Sequence, residues 1–258
     1  MDILIACWFI IPGLLAGWLV NYLSDVLPTL DTLSRPVCRH CGGTFRWRDY
    51  FLMRTCQNCK HARSWRTGIV LITAIVISVA LWINYPPKLG YWISLLLLTY
   101  FGVVVVIDLE HRLILHVVTL TGAALGLLVG ILNNGLFSTL IGGTVGLGIM
   151  LLFYFFGMMF ARYRARKLGV DDGEEALGFG DVTLSGVIGL MLGWPHIAKA
   201  LLIAVLAGGL VSILLILVLS AMRRFESMNV FTAYGPYLVL GAVLLIFFPQ
   251  VAGFLAGM

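Results

Sequence analysis

An all-α integral membrane protein of about eight transmembrane helices, with a small cytoplasmic four-cysteine loop domain of zinc-ribbon type, is the fold class this sequence predicts. Three observations predict it. Apolar residues make up 60% of the 258 residues, charged ones only 11%, and the mean hydropathy is +1.01. Such a chain cannot be solvated by water over most of its surface. Long uncharged runs recur along it, and the Lys and Arg residues fall almost entirely into alternate connections between them.

A helix needs about 20 mainly apolar residues to cross a hydrocarbon layer of roughly 30 Å. Residues Ile3 to Ser24, Thr67 to Pro87, Leu89 to Ile107, Val182 to Ala198, Ala200 to Met222 and Ser227 to Met258 each lack Asp, Glu, Lys and Arg. Leu113 to Ala161 is also uncharged but too long for one crossing, and Asn133-Asn134-Gly135 at its middle is a turn signal. It reads as a helical hairpin, which brings the expected number of spans to eight. The first run has Asp2 and no basic residue before it, so it lacks the positive region of a signal peptide and is expected to be a retained span. Cys7, inside it, is expected to pack as a small hydrophobe. The predicted division is a first transmembrane helix over 1–24, a cysteine loop over 25–66 and a seven-helix membrane domain over 67–258.

With the N-terminus outside, the connections after the first, third, fifth and seventh spans face the cytoplasm and carry nearly all the basic residues, leaving Lys88 and Lys199 outside. This is the positive-inside pattern. It accounts for the net charge of +5, so no nucleic-acid partner is needed to explain that charge. The expected surroundings are a lipid bilayer.

The loop after the first span holds Cys38-Arg-His-Cys41 and Cys56-Gln-Asn-Cys59, two C-x2-C knuckles separated by fourteen residues. That spacing lets two tight turns present four thiolates tetrahedrally to zinc. Two disulfides or a redox pair are the alternatives, and the reducing cytoplasmic side argues against a lasting disulfide. Four cysteine ligands leave no open position, so the zinc is expected to be structural. His40 and His61 flank the knuckles and read as solvated loop residues.

Asp108 ends the run Val103 to Ile107, and Asp181 follows Gly178-Phe-Gly180 just before another apolar stretch. Both fall at the cytoplasmic face. Ionisable groups at membrane depth are costly and mark functional sites. Two carboxylates sharing a proton titrate apart, leaving one to take a proton from water and the other to polarise a carbonyl. Gly178 and Gly180 lack a Cβ and would let an extended substrate approach. Taken singly, Asp181 can equally be a helix N-cap and Asp108 an interfacial charge paired with Arg112 or His111. Gly235 and Pro236 read as a kink near the start of the last span. The acidic cluster Asp171, Asp172, Glu174 and Glu175 reads as a solvated loop, or as an attractor for a basic substrate segment.

Four features occur in one order: the four-cysteine loop, Asp108-Leu-Glu-His-Arg-Leu-Ile, Gly178-Phe-Gly-Asp181-Val-Thr-Leu and Tyr234-Gly-Pro-Tyr-Leu-Val-Leu-Gly241. In these the chain resembles the type IV prepilin peptidase (leader peptidase) family, membrane aspartic proteases of the GxGD type. The resemblance implies that Asp108 and Asp181 are the catalytic pair, with Gly178, Gly180, Gly235 and Pro236 in support. It implies prepilin or pseudopilin substrates with a short basic leader, cut at the cytoplasmic face of a bacterial inner membrane. Many members also methylate the new N-terminus with S-adenosylmethionine. They usually carry Ile-Ser-x-Arg-Tyr-Pro and then a Glu entering the second span, whereas this chain has Arg63-Ser-Trp-Arg66-Thr-Gly and then Leu71. The acid is absent, so S-adenosylmethionine is expected only if methylation is retained. Leu115-His116 and Thr183 are smaller departures from family usage of Pro-Asp and Lys. The competing reading from another class is a proton- or cation-coupled transporter using the same aspartates. No internal repeat of hydropathy supports it.

Overall fold

The computed structural model describes residues 8–30, 33–38, 40–61, 63–84, 86–168, 178–221, 233–248 and 250. Cys7, Arg39 and the acidic cluster at 171–175 lie outside them. The described residues are helical, with no strand and one isolated antiparallel bridge, Val37 to Thr44. Contacts divide the chain into two units, residues 1–111 and 112–258.

The first unit contains α1 (Ile10–Leu30), α2 (Trp47–Phe51), α3 (Trp65–Ile83) and α4 (Gly90–His111). Gly13 and Gly17, one turn apart on α1, let α3 approach closely: a Cβ on Gly13 would lie 2.7 Å from Ser78 Cβ and 2.8 Å from Ile75 Cα. At the end of the helix pair away from the cysteines, the pair is closed by Phe9 stacked on Trp82 at 4.0 Å. The helix boundaries shift from the sequence expectation for a chemical reason. Asp25 lies within α1 and Arg66 within α3, because each charge has a partner there and need not stay in an open loop.

The second unit contains α5 (His116–Asn134), α6 (Leu136–Leu168), α7 (Phe179–Leu192), α8 (His196–Ala221) and α9 (Gly235–Phe247). The hairpin turns where the sequence places it: Gly135 takes φ +78°, a left-handed conformation that glycine adopts without strain. Helix α7 is central, with Leu184, Ser185, Val187 and Ile188 all buried. Gly142 on α6 and Gly189 on α7 sit backbone against backbone, and a Cβ on either would overlap the other's carbonyl oxygen. Ser185 closes the same seam by donating to the Gly146 carbonyl at 3.0 Å.

Among the described residues, six helices are long and apolar enough to cross a membrane, by length and composition: α1, α3, α4, α5, α6 and α8. The outer faces of several are strongly apolar and exposed, among them Ile72, Leu120, Phe137 and Leu206, as lipid contact requires. The expected sixth and eighth crossings differ. The uncharged run Val182 to Ala198 is cut after Leu192, where Gly193 caps α7 at φ +69°, and its remainder begins α8. At 14 residues α7 rises about 21 Å, short of the hydrocarbon thickness. Helix α9, with 13 described residues, is likewise short.

Candidate active site and four-cysteine centre

Asp181 stands in the first turn of α7. The N-cap is Gly178, so Asp181 is the third helical residue and not the cap considered from the sequence. Its N–H donates to the Gly178 carbonyl at 3.1 Å, and its side chain is 8% exposed. A carboxylate so placed is favoured by the unpaired N–H groups at the start of the helix. The two glycines of the motif have different jobs. A Cβ on Gly180 would lie 2.8 Å from Ile114 Cβ and 3.4 Å from its backbone nitrogen, so the side-chain space at 180 is already filled by Ile114. A Cβ on Gly178 would meet only Asp181 Oδ2, at an ordinary 3.6 Å. Thr183 turns its hydroxyl back to the Gly180 carbonyl at 2.8 Å.

Tyr234 belongs to this neighbourhood, although the sequence pattern does not mark it as a site residue. It is the N-cap of α9, and its hydroxyl lies within the electrostatic field of the Asp181 carboxylate. Its ring rests against Gly208, where a Cβ would approach to 3.2 Å. The only signal was its place directly before Gly235-Pro236. Those two residues open α9 and do not kink it: in the first turn no N–H is needed for the helix ladder, which is where Pro is tolerated.

Asp108 lies in the last turns of α4 and is 4% exposed, among Val103, Val104 and Ile107, which are also buried. The helix continues to His111, and Glu110 accepts from Arg66 of α3 at 2.8 Å. Asp108 and Asp181 belong to different units, and each is described within its own.

The four cysteines come together. Their sulfurs lie within 4.8 Å of one another, and all four are free thiols. Cys38 and Cys59 sulfurs are 3.7 Å apart, as are those of Cys41 and Cys56. A tetrahedral ion with metal–sulfur bonds of about 2.3 Å spaces its ligands by about 3.8 Å. The two knuckles share one backbone pattern. Gly42 N–H returns to Cys38 O and Lys60 N–H to Cys56 O, both at 2.8 Å; Cys38 N–H reaches Gly43 O at 2.7 Å and Cys56 N–H reaches His61 O at 3.1 Å. Gly42 and Lys60 hold equivalent left-handed positions, φ +69° and +54°. The thiols do not titrate alike. Cys56 is pulled down to about 6, chiefly by the Cys59 N–H. At Cys59 the His61 N–H acts downward, but burial and the sulfurs of Cys41, Cys38 and Cys56 outweigh it and push the thiol up to about 12. Four crowded thiolates need a cation, so this donor set fits a metal ion. His40 and His61 stack on each other at 4.8 Å.

The loop is anchored by Tyr50, 1% exposed in a cluster with Trp18, Phe45, Cys38, Cys56 and Leu71. Its hydroxyl donates to Asp25 Oδ2 at 2.8 Å, and the Arg63 guanidinium lies 3.8 Å from its ring centre. Burial, and after it the Asp25 charge, push the phenol well above its ordinary range. Asp25, 3% exposed, also accepts from Arg63 at 3.0 Å and from Arg66. A buried carboxylate is tolerable only with such pairing. Beside this network a cavity of about 260 Å³ is lined by His40, His61, Arg63, Ser64 and Arg66.

Residues 92–213 match the type IV leader peptidase family, and that stretch contains Asp108 and Asp181. Among curated relatives, the "prepilin leader peptidase/N-methyltransferase" of Pectobacterium carotovorum subsp. carotovorum is 28% identical over 218 residues, 80% of this chain and 71% of the relative. The protein of the same name from Aeromonas hydrophila is 28% identical over 81% of this chain and 69% of its own length. That from Aeromonas salmonicida strain A449 is 30% identical over 74% of this chain and 60% of its own. No solved structure matches the chain. Over residues 92–213 the chain is thus similar to the type IV leader peptidase family, and its four-cysteine loop and helical architecture accord with that likeness.

Proposed function

We propose that the chain is a membrane endopeptidase that removes the short basic leader from type IV prepilins or pseudopilins at the cytoplasmic face of a bacterial inner membrane. The observation that carries the reading is the presence of two buried carboxylates, Asp108 and Asp181, inside the matched family region. In this reaction one carboxylate is ionised and takes a proton from the attacking water, while the other is protonated and donates to the scissile carbonyl oxygen. Water adds to the carbonyl carbon, and the tetrahedral intermediate collapses as a carboxylic acid delivers the proton to the departing amine. No covalent intermediate forms on the chain.

The metal we assign to Cys38, Cys41, Cys56 and Cys59 is zinc, supported by an all-sulfur donor set and tetrahedral spacing. When bound it cross-links the two knuckles and neutralises their thiolates. Catalysis rests with the aspartates. Methylation with S-adenosylmethionine is not part of the proposal, because the position where relatives of the family carry an acid holds Leu71, buried against Gly17. The test is cleavage of a leader-bearing prepilin by detergent-purified protein: Asp108→Asn and Asp181→Asn should each reduce turnover by at least ~10³-fold, as losses of essential acid–base groups do. Normal cleavage by either variant would refute the assignment. Mass analysis of the product with added S-adenosylmethionine should show cleavage without a gain of one methyl group.

A further inference from the structure

Arg66 occupies a bridging position. One terminal nitrogen reaches Asp25 of α1 and the other reaches Glu110 of α4 at 2.8 Å. Its side chain is 14% exposed, and Glu110 25%, so the pair is shielded from much of the solvent screening that weakens surface ion pairs. Behind Asp25 stand Tyr50 and Arg63, both of the cysteine loop, and Tyr50 packs with Cys38 and Cys56. A chain of direct contacts therefore runs from the cysteine knuckles through Tyr50, Asp25 and Arg66 to Glu110.

Glu110 is two residues beyond Asp108 in the last turn of α4, which ends at His111 with Arg112 already in a left-handed conformation. Two residues of α-helix correspond to about 200° of rotation, so the two carboxylates leave the helix on opposite sides. Whatever holds Glu110 fixes the rotation of this terminal turn. At a side-chain radius of about 5–6 Å, a rotation of about 10° moves the opposite carboxylate by about 1 Å. A misplacement of about that size is enough to cost ~10²-fold in rate.

We propose that Arg66 and Glu110 are positioning residues for Asp108, through which the folded four-cysteine loop sets the orientation of the catalytic carboxylate. The inference rests on Asp108 being catalytic, as proposed above. Neither residue stood out in the sequence, where Arg66 counts toward the positive loop charge and Glu110 is one letter in the Asp108 motif.

The experiment uses the full chain in detergent with a leader-bearing prepilin, comparing wild type, Asp108→Asn, Arg66→Ala, Arg66→Lys, Glu110→Ala, Glu110→Gln and the double variant Arg66→Ala/Glu110→Ala. The expected result is a ~10- to 100-fold fall in kcat with KM unchanged for each of the single variants at 66 and 110. Arg66→Lys should fall with the others, because one ammonium cannot span two carboxylates as a guanidinium fork does. The double variant should be no slower than the slower single one, since the pair acts as a unit. Glu110→Ala and Glu110→Gln leave Arg66 on Asp25 and decide the matter even if the Arg66 variants fold poorly. Wild-type kcat in the Glu110 variants, a loss confined to KM, or losses that multiply in the double variant would overturn the linkage. Cleavage by Asp108→Asn would instead overturn the reading on which it rests.

Discussion

Substitution of Gly180 by alanine separates two explanations of the glycines before Asp181. A substrate-approach role makes Gly178 and Gly180 comparable, whereas the packing makes them opposite. At Gly180 the new Cβ would sit 2.8 Å from Ile114 Cβ, against an optimal carbon–carbon separation of about 3.5–4.0 Å, so roughly 1 Å of displacement is required. The neighbour is a Cβ on a short segment, with its backbone nitrogen at 3.4 Å, and cannot rotate away. Overpacking of this kind costs about 1–3 kcal/mol, and the residue that moves is bonded to Asp181. Gly180→Ala should lower kcat for leader cleavage ~10- to 100-fold and the melting midpoint by several degrees. Gly178→Ala, with its Cβ in ordinary contact at 3.6 Å, should stay within ~3-fold of wild type. Adding Ile114→Gly to Gly180→Ala removes the obstructing Cβ and should recover much of the turnover. Initial-rate kinetics on a leader-bearing prepilin, with thermal melts on the same preparations, provide the readout. Equal damage from Gly178→Ala and Gly180→Ala, or no recovery with Ile114→Gly, would show that the glycines serve the substrate and not Ile114.

Replacing any one of Cys38, Cys41, Cys56 or Cys59 by serine should remove about one equivalent of zinc per chain, measured by atomic emission on the purified protein. Lys60→Gly relieves a left-handed non-glycine residue and should slow zinc loss to a chelator, while Gly42→Ala, at the equivalent turn, should hasten it; identical rates for the two would contradict the equivalence of the knuckles. Tyr50→Phe deletes one hydrogen bond to a buried charge without opening a cavity and should destabilise by about 1.5–3 kcal/mol in thermal or denaturant unfolding. Because the folded state holds the Tyr50 phenol neutral, its contribution is complete below the ordinary value of 10.0 and is lost as pH rises above it. Wild-type stability should therefore decline above that pH more steeply than that of Tyr50→Phe.

Much of this molecule is legible in local sequence pattern. Hydropathy places α1, α3, α4 and α8, the Asn133-Asn134-Gly135 turn divides α5 from α6, and C-x2-C spacing forecasts the cluster of four sulfurs. These features depend on neighbours within one or two turns. Asp25 was not legible, since its partners Arg63 and Arg66 stand 38 and 41 residues away and all three look like ordinary charges at the edge of a span. The break after Leu192 escaped for the opposite reason: Gly193 and Pro195 are visible, but glycine and proline are common within membrane helices, and an uncharged run carries no mark of where a helix stops inside it. Gly180 was legible as a close approach but not as to what, because Ile114 lies 66 residues earlier in the chain.

The crosswise pairing of sulfurs, Cys38 with Cys59 and Cys41 with Cys56, bears on the biogenesis of the protein. Neither knuckle can complete a metal site by itself, so a ribosome that has released the first pair has made only an open bidentate clip. Closure waits for Cys59, six residues before α3 begins. On the zinc assignment proposed above, the four-ligand site can be completed only once Cys59 has been made, immediately ahead of the second helix and before the segment bearing either aspartate.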